Sequence, residues 1–397
     1  MGWVDWGLTL LNMLVLLPIL VLLVETIAAS LPARPKPLLS ATSRPVCAVL
    51  IPAHNEEIGI TNTLQNVLRE LIPGDRILVI ADNCTDTTAT IAASLGVEVL
   101  ERMDTQRRGK GFALEFGLNH LAQNPPPFVV ILDADCLLEP GSLSALVDQS
   151  AESEGVRQGI YLPGGNFGAD VRKQWSAFAI RFKNEVRPYG LYRLGLPCLL
   201  TGSGMVFPWK AILSINWGTS DIVEDMKLGI DLSLRKFAPQ LCPGARVFSE
   251  APPSEQGAIK QRMRWEHGHV QTILSQVPRL LWGAIRQGRP ALVGLALELA
   301  VPPLSLLILV LIAIGTGSLS WWQLAEGSPL PAWMSLAGLS VLILTISLAW
   351  GKYGRGIVPI KSFMLLPVYI LWKVPIYLRL VGKREKNWVR TERADPG

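Results

Sequence analysis

The run Phe128–Pro140, FVVILDADCLLEP, constrains the fold more than any other stretch. Phe128–Leu132 is continuously apolar and partly β-branched. A strand of this kind has both faces covered, as in parallel sheets sandwiched between helices. The run stops at Asp133-Ala134-Asp135. Open α/β sheets bind ligands outside the carboxyl ends of their strands, so two carboxylates stand where a ligand would sit. Adjacent acids repel unless a positive charge separates them. A hard divalent cation, completed by a substrate's phosphates, is one solution. A solvated loop after a strand is the other reading of a lone D-x-D.

The segments upstream repeat the pattern. Val46–Pro52 (VCAVLIP) reads as a strand, and His54-Asn55-Glu56-Glu57 as the turn into a helix through Leu71. Arg76–Ala81 is the next strand and ends at Asp82-Asn83. Thr85–Thr88 caps a helix to Leu95, and Val97–Leu100 is a third strand. Arg107-Arg108-Gly109-Lys110-Gly111 enters a helix over Gly109–Leu121. Strands alternating with helices at this spacing predict parallel βαβ units and a nucleotide-binding α/β sheet.

Hydrophobic residues make up 49% of the 397 residues, and mean hydropathy is positive at +0.32. That is too apolar for an ordinary soluble enzyme. Trp6–Ala29 is long enough to span a bilayer and lacks the basic start and small-residue cleavage site of a signal peptide. Arg34, Lys36 and Arg44 follow it and no basic residue precedes it, so the positive-inside rule places the next domain in the cytoplasm. Leu292–Gly315 and Trp333–Trp350 are further spans. Gly356–Val381 is interrupted by Lys361, Pro367, Lys373 and Pro375. If it crossed, the basic patch Lys383–Arg393 would lie outside, so an interfacial or re-entrant helix is expected. The resulting division is a membrane helix over 1–30, a proline-rich linker over 31–45, a cytoplasmic domain over 46–290, membrane helices over 291–382 and a basic tail over 383–397.

The formal charge of +5 belongs to membrane-surface and phosphate electrostatics; no basic recognition helix or aromatic RNA motif suggests a nucleic-acid partner. The five cysteines show no C-x-x-C spacing, which argues against a disulfide or zinc framework. Cys47 and Cys136 are expected in the core. His267 and His269 are too close for a helical ligand pair. Val171–Arg193 mixes aromatic and basic residues, and reads either as a headgroup-level face or as a helix covering the sheet.

The chemistry-bearing positions are Asp82, Asp133, Asp135, Glu224-Asp225, Lys110 at a helix start that favours phosphate, and Gln261-Arg262-Met263-Arg264-Trp265. Each alone is weak; Glu224-Asp225 also reads as a solvated helix start.

Taken in order, P-A-H-N-E-E, A-D-N, R-G-K-G, D-A-D, T-G-S-G, V-E-D and Q-R-M-R-W resemble the membrane-bound family-2 glycosyltransferases, which include the processive synthases of cellulose, hyaluronan, chitin and poly-N-acetylglucosamine. The resemblance covers about residues 46–290. It implies a GT-A-type nucleotide-sugar-binding α/β domain accompanied by α-helical transmembrane segments, and inverting transfer of a hexosyl or N-acetylhexosaminyl group. It also implies roles. Pro52, Glu56, Asp82, Lys110 and Asp133 would contact the nucleotide-sugar, and Asp135 would bind Mg²⁺ or Mn²⁺. Asp225 would be the catalytic base, with Val223 departing from the common T-E-D. Gln261, Arg264 and Trp265 would lie by the acceptor and the diphosphate. Lys386–Arg393 also resembles a segment that covers the nucleotide in some processive synthases; an ordinary basic tail reads equally well.

The residue types suit that chemistry. An acceptor hydroxyl loses its proton as it attacks the anomeric carbon, and a carboxylate can take it. The leaving nucleoside diphosphate develops charge that a cation, Lys110 and Arg264 can offset. Trp265 offers the acceptor a flat face, or fills the core. The expected partners are a UDP-linked donor sugar, a polysaccharide or lipid acceptor, and the bilayer of an inner or plasma membrane. A catalytically silent nucleotide-sugar-binding membrane protein is the alternative from another class.

Overall fold

Apolar runs become strands here because helices cover them on both sides. In the computed structural model, which describes residues 2–32, 44–165, 167, 168, 170–218, 224–249 and 255–382, the parallel strands are β1 (Cys47–Ala53), β2 (Arg76–Asp82), β3 (Glu98–Arg102) and β4 (Phe128–Ile131). Successive residues of β1 feed opposite faces, as the two-residue period of a strand requires. Cys47, Val49 and Ile51 pack with Ile60 and Leu64 of helix Ile60–Leu68 and with Leu143 and Val147 of helix Ser142–Ser153. Ala48 and Leu50 pack with Leu114 and Leu118 of helix Lys110–Leu121. Each such fully buried aliphatic side chain contributes about 1.5–3 kcal/mol.

Four more strands complete a mixed sheet: β5 (Cys136–Leu138), β6 (Arg157–Pro163), β7 (Met205–Pro208) and β8 (Gln240–Ser249). The order is β3-β2-β1-β4-β7-β6-β8-β5. β7 runs antiparallel to β4, and β5 antiparallel to the end of β8. The chain therefore passes from β4 in mid-sheet to β5 at the far edge within the four residues Leu132–Asp135. In a flat sheet those strands would stand about 19 Å apart, and the extended chain reaches only about 17 Å. The sheet must curl, and β8 shifts register opposite Gly159 and Ile160 as it does so. Asp133 and Asp135 sit on the tight connection that results.

Apolar helices form the second part. Among the described residues, four are long and apolar enough to cross a membrane: Trp3–Ser30, Leu304–Leu324, Leu330–Gly354 and Ile360–Leu378. The expected span Leu292–Gly315 is corrected. A helix covers Pro290–Ala300, Val301–Pro303 is non-helical, and a second helix starts at Leu304. Pro302 and Pro303 lack the N–H a helix needs and push the preceding residue out of helical conformation.

Val171–Arg193 forms a helix, a π-helical turn over Phe182–Val186 and a second helix. Its covering role is only half of what it does. Leu191 packs on β6, but Trp175, Phe178 and Phe182 pack among the apolar helices. The segment is a wedge between sheet and apolar helices. The linker from residue 33 to 43, Val223 and the tail 383–397 lie outside the described residues.

Candidate active site

Two loops at the carboxyl ends of β1 and β2 are tied together by hydrogen bonds. Asn55, in left-handed backbone conformation at φ 55°, accepts from the Thr85 N–H at 2.7 Å. The Glu56 N–H donates to Thr88 Oγ1 at 2.7 Å, and Glu57 Oε2 accepts from Thr87. Pro52, near the end of β1, and Glu56 thus sit in a fixed rim beside Asp82. His54 Nδ1 reaches the Asp82 carbonyl at 2.7 Å.

The Asp82 side chain is half engaged. Its Oδ1 accepts from Arg102 Nη1 at 2.6 Å and from Asn83 Nδ2 at 3.0 Å. Arg102 also donates to Asp104 and to the Arg107 carbonyl. Asp82 is therefore held through Oδ1 by a guanidinium at the end of β3.

The centre of the site is Lys110. Its helix begins at Gly109, whose φ of 123° is open to glycine and strained for other residues. Lys110 Nζ forms an ion pair with Asp133 and donates to the Gly202 carbonyl at 2.7 Å. Gly202, at φ 90°, lies so close that a Cβ there would stand 3.3 Å from Asp225 Oδ2 and 3.7 Å from Lys110 Nζ. Ser203 Oγ accepts from the Asp133 N–H at 3.0 Å, and the Gly204 N–H donates to the Ile131 carbonyl. The T-G-S-G turn at the start of β7 thus holds the end of β4 and brings Lys110, Asp133 and Asp225 together.

The electrostatics follow from crowding. Burial alone would pull the Lys110 ammonium down, but Asp133, Glu224 and Asp225 more than reverse this, and its pKa is raised. Burial, then the Asp133 charge, pushes the Asp135 carboxyl up to about 6. Burial and the Asp225 charge push Glu224 up to about 7. Asp225, in the first turn of helix Glu224–Leu234, is raised by burial although the Met226 N–H, Lys110 and Lys183 favour its charged form. Ligand atoms of Asp133, Asp135 and Cys136 lie within 4.8 Å of one another. Two carboxylates whose charges oppose each other fit a hard divalent cation. Cys136 does not: its thiol is fully buried in the core and pushed well up by burial.

Helix Glu255–Gln287 divides the Q-R-M-R-W residues by face. Gln261 and Arg264, three apart, share one face; Arg262, Trp265, Glu266 and His269 follow the i, i+3, i+4, i+7 stripe of another. Arg264 Nε is buried with no hydrogen-bond partner among the described residues, as a group awaiting an acceptor would be. Trp265 lines a cavity between the sheet domain and the apolar helices. His269 is pushed down to about 3 by burial and by Lys183 and Arg187. It is a neutral imidazole whose Nε2 meets the Leu299 carbonyl.

Sequence reasoning missed Arg102 and Lys183. Arg102 carried a weak signal, a basic residue just beyond the Val97–Leu100 run; Lys183 carried none beyond belonging to a mixed aromatic and basic helix.

A curled mixed sheet with acidic strand ends, followed by apolar helices, defines a GT-A-like domain joined to a helical part. Residues 45–268, more than half of the chain, match the family described as Glycosyltransferase like family 2, and the chain belongs to that family. It is 35% identical over 105 residues to the 4,4'-diaponeurosporenoate glycosyltransferase of Staphylococcus aureus. That alignment covers 25% of this chain and 27% of the relative, so the chain matches about a quarter of the length of these curated relatives. Among solved structures, a mannosyltransferase of Pyrobaculum calidifontis in complex with GDP-Man and Mn²⁺ shares the fold. Its TM-score is 0.57 at 17% identity, over 96% of this chain and 99% of that one. Glucosyl-3-phosphoglycerate synthase of Mycobacterium tuberculosis aligns at a TM-score of 0.40 and 21% identity, over 58% and 82%.

Proposed function

We propose that this chain is an inverting glycosyltransferase that moves a sugar from a nucleotide-diphospho-sugar to an acceptor at a cytoplasm-facing membrane surface. The observation that carries this reading is the single cluster of Lys110, Asp133, Gly202 and Asp225 at the strand ends.

The roles follow from position. The rim of Pro52, Glu56 and Asp82 receives the nucleoside. Lys110 and Arg264 face the diphosphate, where charge develops as the bond to the anomeric carbon breaks. Asp135, with Asp133 beside it, would hold a divalent cation, Mg²⁺ or Mn²⁺, which when bound offsets the same charge. The Pyrobaculum structure carries Mn²⁺ with its donor, in keeping with this choice. Asp225 takes the acceptor's proton. Burial has raised its pKa, which makes it a stronger base than an exposed aspartate. One base and no carboxylate nucleophile suits a single displacement with inversion.

For the acceptor, the resemblance of Q-R-M-R-W points to a polysaccharide. The cavity beside Trp265 favours an amphiphile, because residues of the apolar helices line it, Leu22 and Leu304 among them. Membranes containing the chain are to be incubated with radiolabelled UDP- and GDP-sugars. Label extracted into organic solvent with the lipids supports the amphiphile; label precipitated as polymer supports the polysaccharide. No transfer from any donor refutes the enzyme.

A further inference from the structure

The cavity next to Trp265 measures about 110 Å³. Apolar lining comes from the membrane-type helices and the proline break, with Leu22, Val301 and Leu304 among it. Charged lining comes from Lys183, Arg187, Arg262 and Glu266. Lys373 also lines it, from within an apolar helix. Ionisable residues on such helices face a protein interior or a functional cavity.

The charges do not cancel. Arg187 is held between Glu25 and Glu298, at 2.7 Å from each. Lys373 is paired with Glu266. Lys183 and Arg262 have no carboxylate partner among the described residues; Arg262 lies over the Trp372 ring at 5.6 Å. Two positive groups therefore face a cavity whose other lining residues are apolar, neutral polar (Ser176, His269, Ser305) or paired ions. Both residues are half-buried, and an anion bound in the cavity would supply the counter-ion that each lacks. Lys183 also lies within electrostatic reach of Asp225, which links the cavity to the base.

Resting on the reading of an amphiphilic acceptor, we propose that the cavity is the acceptor site. It takes an amphiphile bearing a negative charge next to its reacting end, and Lys183 and Arg262 recognise that charge while the apolar lining residues take the start of the chain. The charge is a carboxylate or a phosphate, which the same two cations would bind. A neutral acceptor would leave both cations without a partner.

The test uses the full chain in phosphatidylcholine nanodiscs without donor, titrated with hexadecanoate, hexadecyl phosphate and hexadecanol, with binding read by native mass spectrometry. At least one anionic probe should bind tenfold or more tighter than hexadecanol, and the arm that does so identifies the anion. Lys183→Gln and Arg262→Gln should each reduce that advantage several-fold, whereas Lys183→Arg should retain it. Equal binding of all three probes to the unaltered chain overturns the proposal whatever the variants do. So does an unchanged preference in both Gln variants. Nucleotide release from the donor is measured separately. A chain that discriminates the probes but never cleaves a donor would refute the transferase and leave the cavity's preference for anionic amphiphiles standing.

Discussion

Arg187 Nε donates to Glu25 Oε2 at 2.7 Å, so a residue of the wedge is ion-paired with a residue of the N-terminal apolar helix, 162 positions away in sequence. Glu298 accepts from the same guanidinium. Next to them, Gly190 packs directly on the backbone of Glu25. The apolar helix is thereby pinned against the wedge whose Lys183 lies within electrostatic reach of Asp225.

Removing Arg187 would leave two buried carboxylates facing each other. Arg187→Leu should lower stability by about 3–5 kcal/mol, the range for breaking a buried ion pair from one side. Glu25→Gln should cost less, because Arg187 keeps Glu298. Thermal unfolding of the detergent-solubilised variants measures both; equal melting temperatures in Arg187→Leu and the parent would refute the coupling.

Asp225→Asn should bind donor normally and lose transfer by roughly a hundredfold or more. In the parent, the base must be ionised. Burial raises its pKa, so activity should fall with acidification at a pH above that of an ordinary aspartate, whose reference value is 3.8. Lys183 favours the charged form, so Lys183→Gln, at saturating acceptor, should move the acidic limb of the pH–rate profile further up. A limb that stays in place in that variant argues against Asp225 as the group titrating.

Activity should require Mg²⁺ or Mn²⁺ and vanish in excess chelator. Asp135→Ala should need far more metal or lose activity altogether. Full turnover of that variant in chelator would remove the cation from the mechanism.

Topology is tested with single cysteines at Ser43 and Glu392 in a background without the native cysteines. Both positions should stay unlabelled by a membrane-impermeant thiol reagent on intact cells and react once the membrane is opened, as the basic flanks require. Labelling at Glu392 but not at Ser43 would mean that the last apolar helix, Ile360–Leu378, crosses the bilayer.

Local chemistry determined much of this protein. Phe128–Leu132 had to be a covered strand because an all-apolar run leaves no face for water, and strand β4 occupies Phe128–Ile131. Gly109-Lys110-Gly111 could open a helix because glycine permits the backbone conformation that precedes it. The break at Val301–Pro303 was also written in two prolines, but hydropathy averaged over the segment hid it. What the tertiary structure alone decided are contacts between residues distant in sequence. That β5 pairs with β8, that Arg102 holds Asp82, that Gly202 brings Lys110 to Asp225, and that Lys183 faces a cavity beside Trp265 all depend on how a curled sheet meets a wedge of helices. The propensities, periods and caps that a sequence displays act over a few residues, whereas burial of a charge is set by whatever the rest of the chain packs against it.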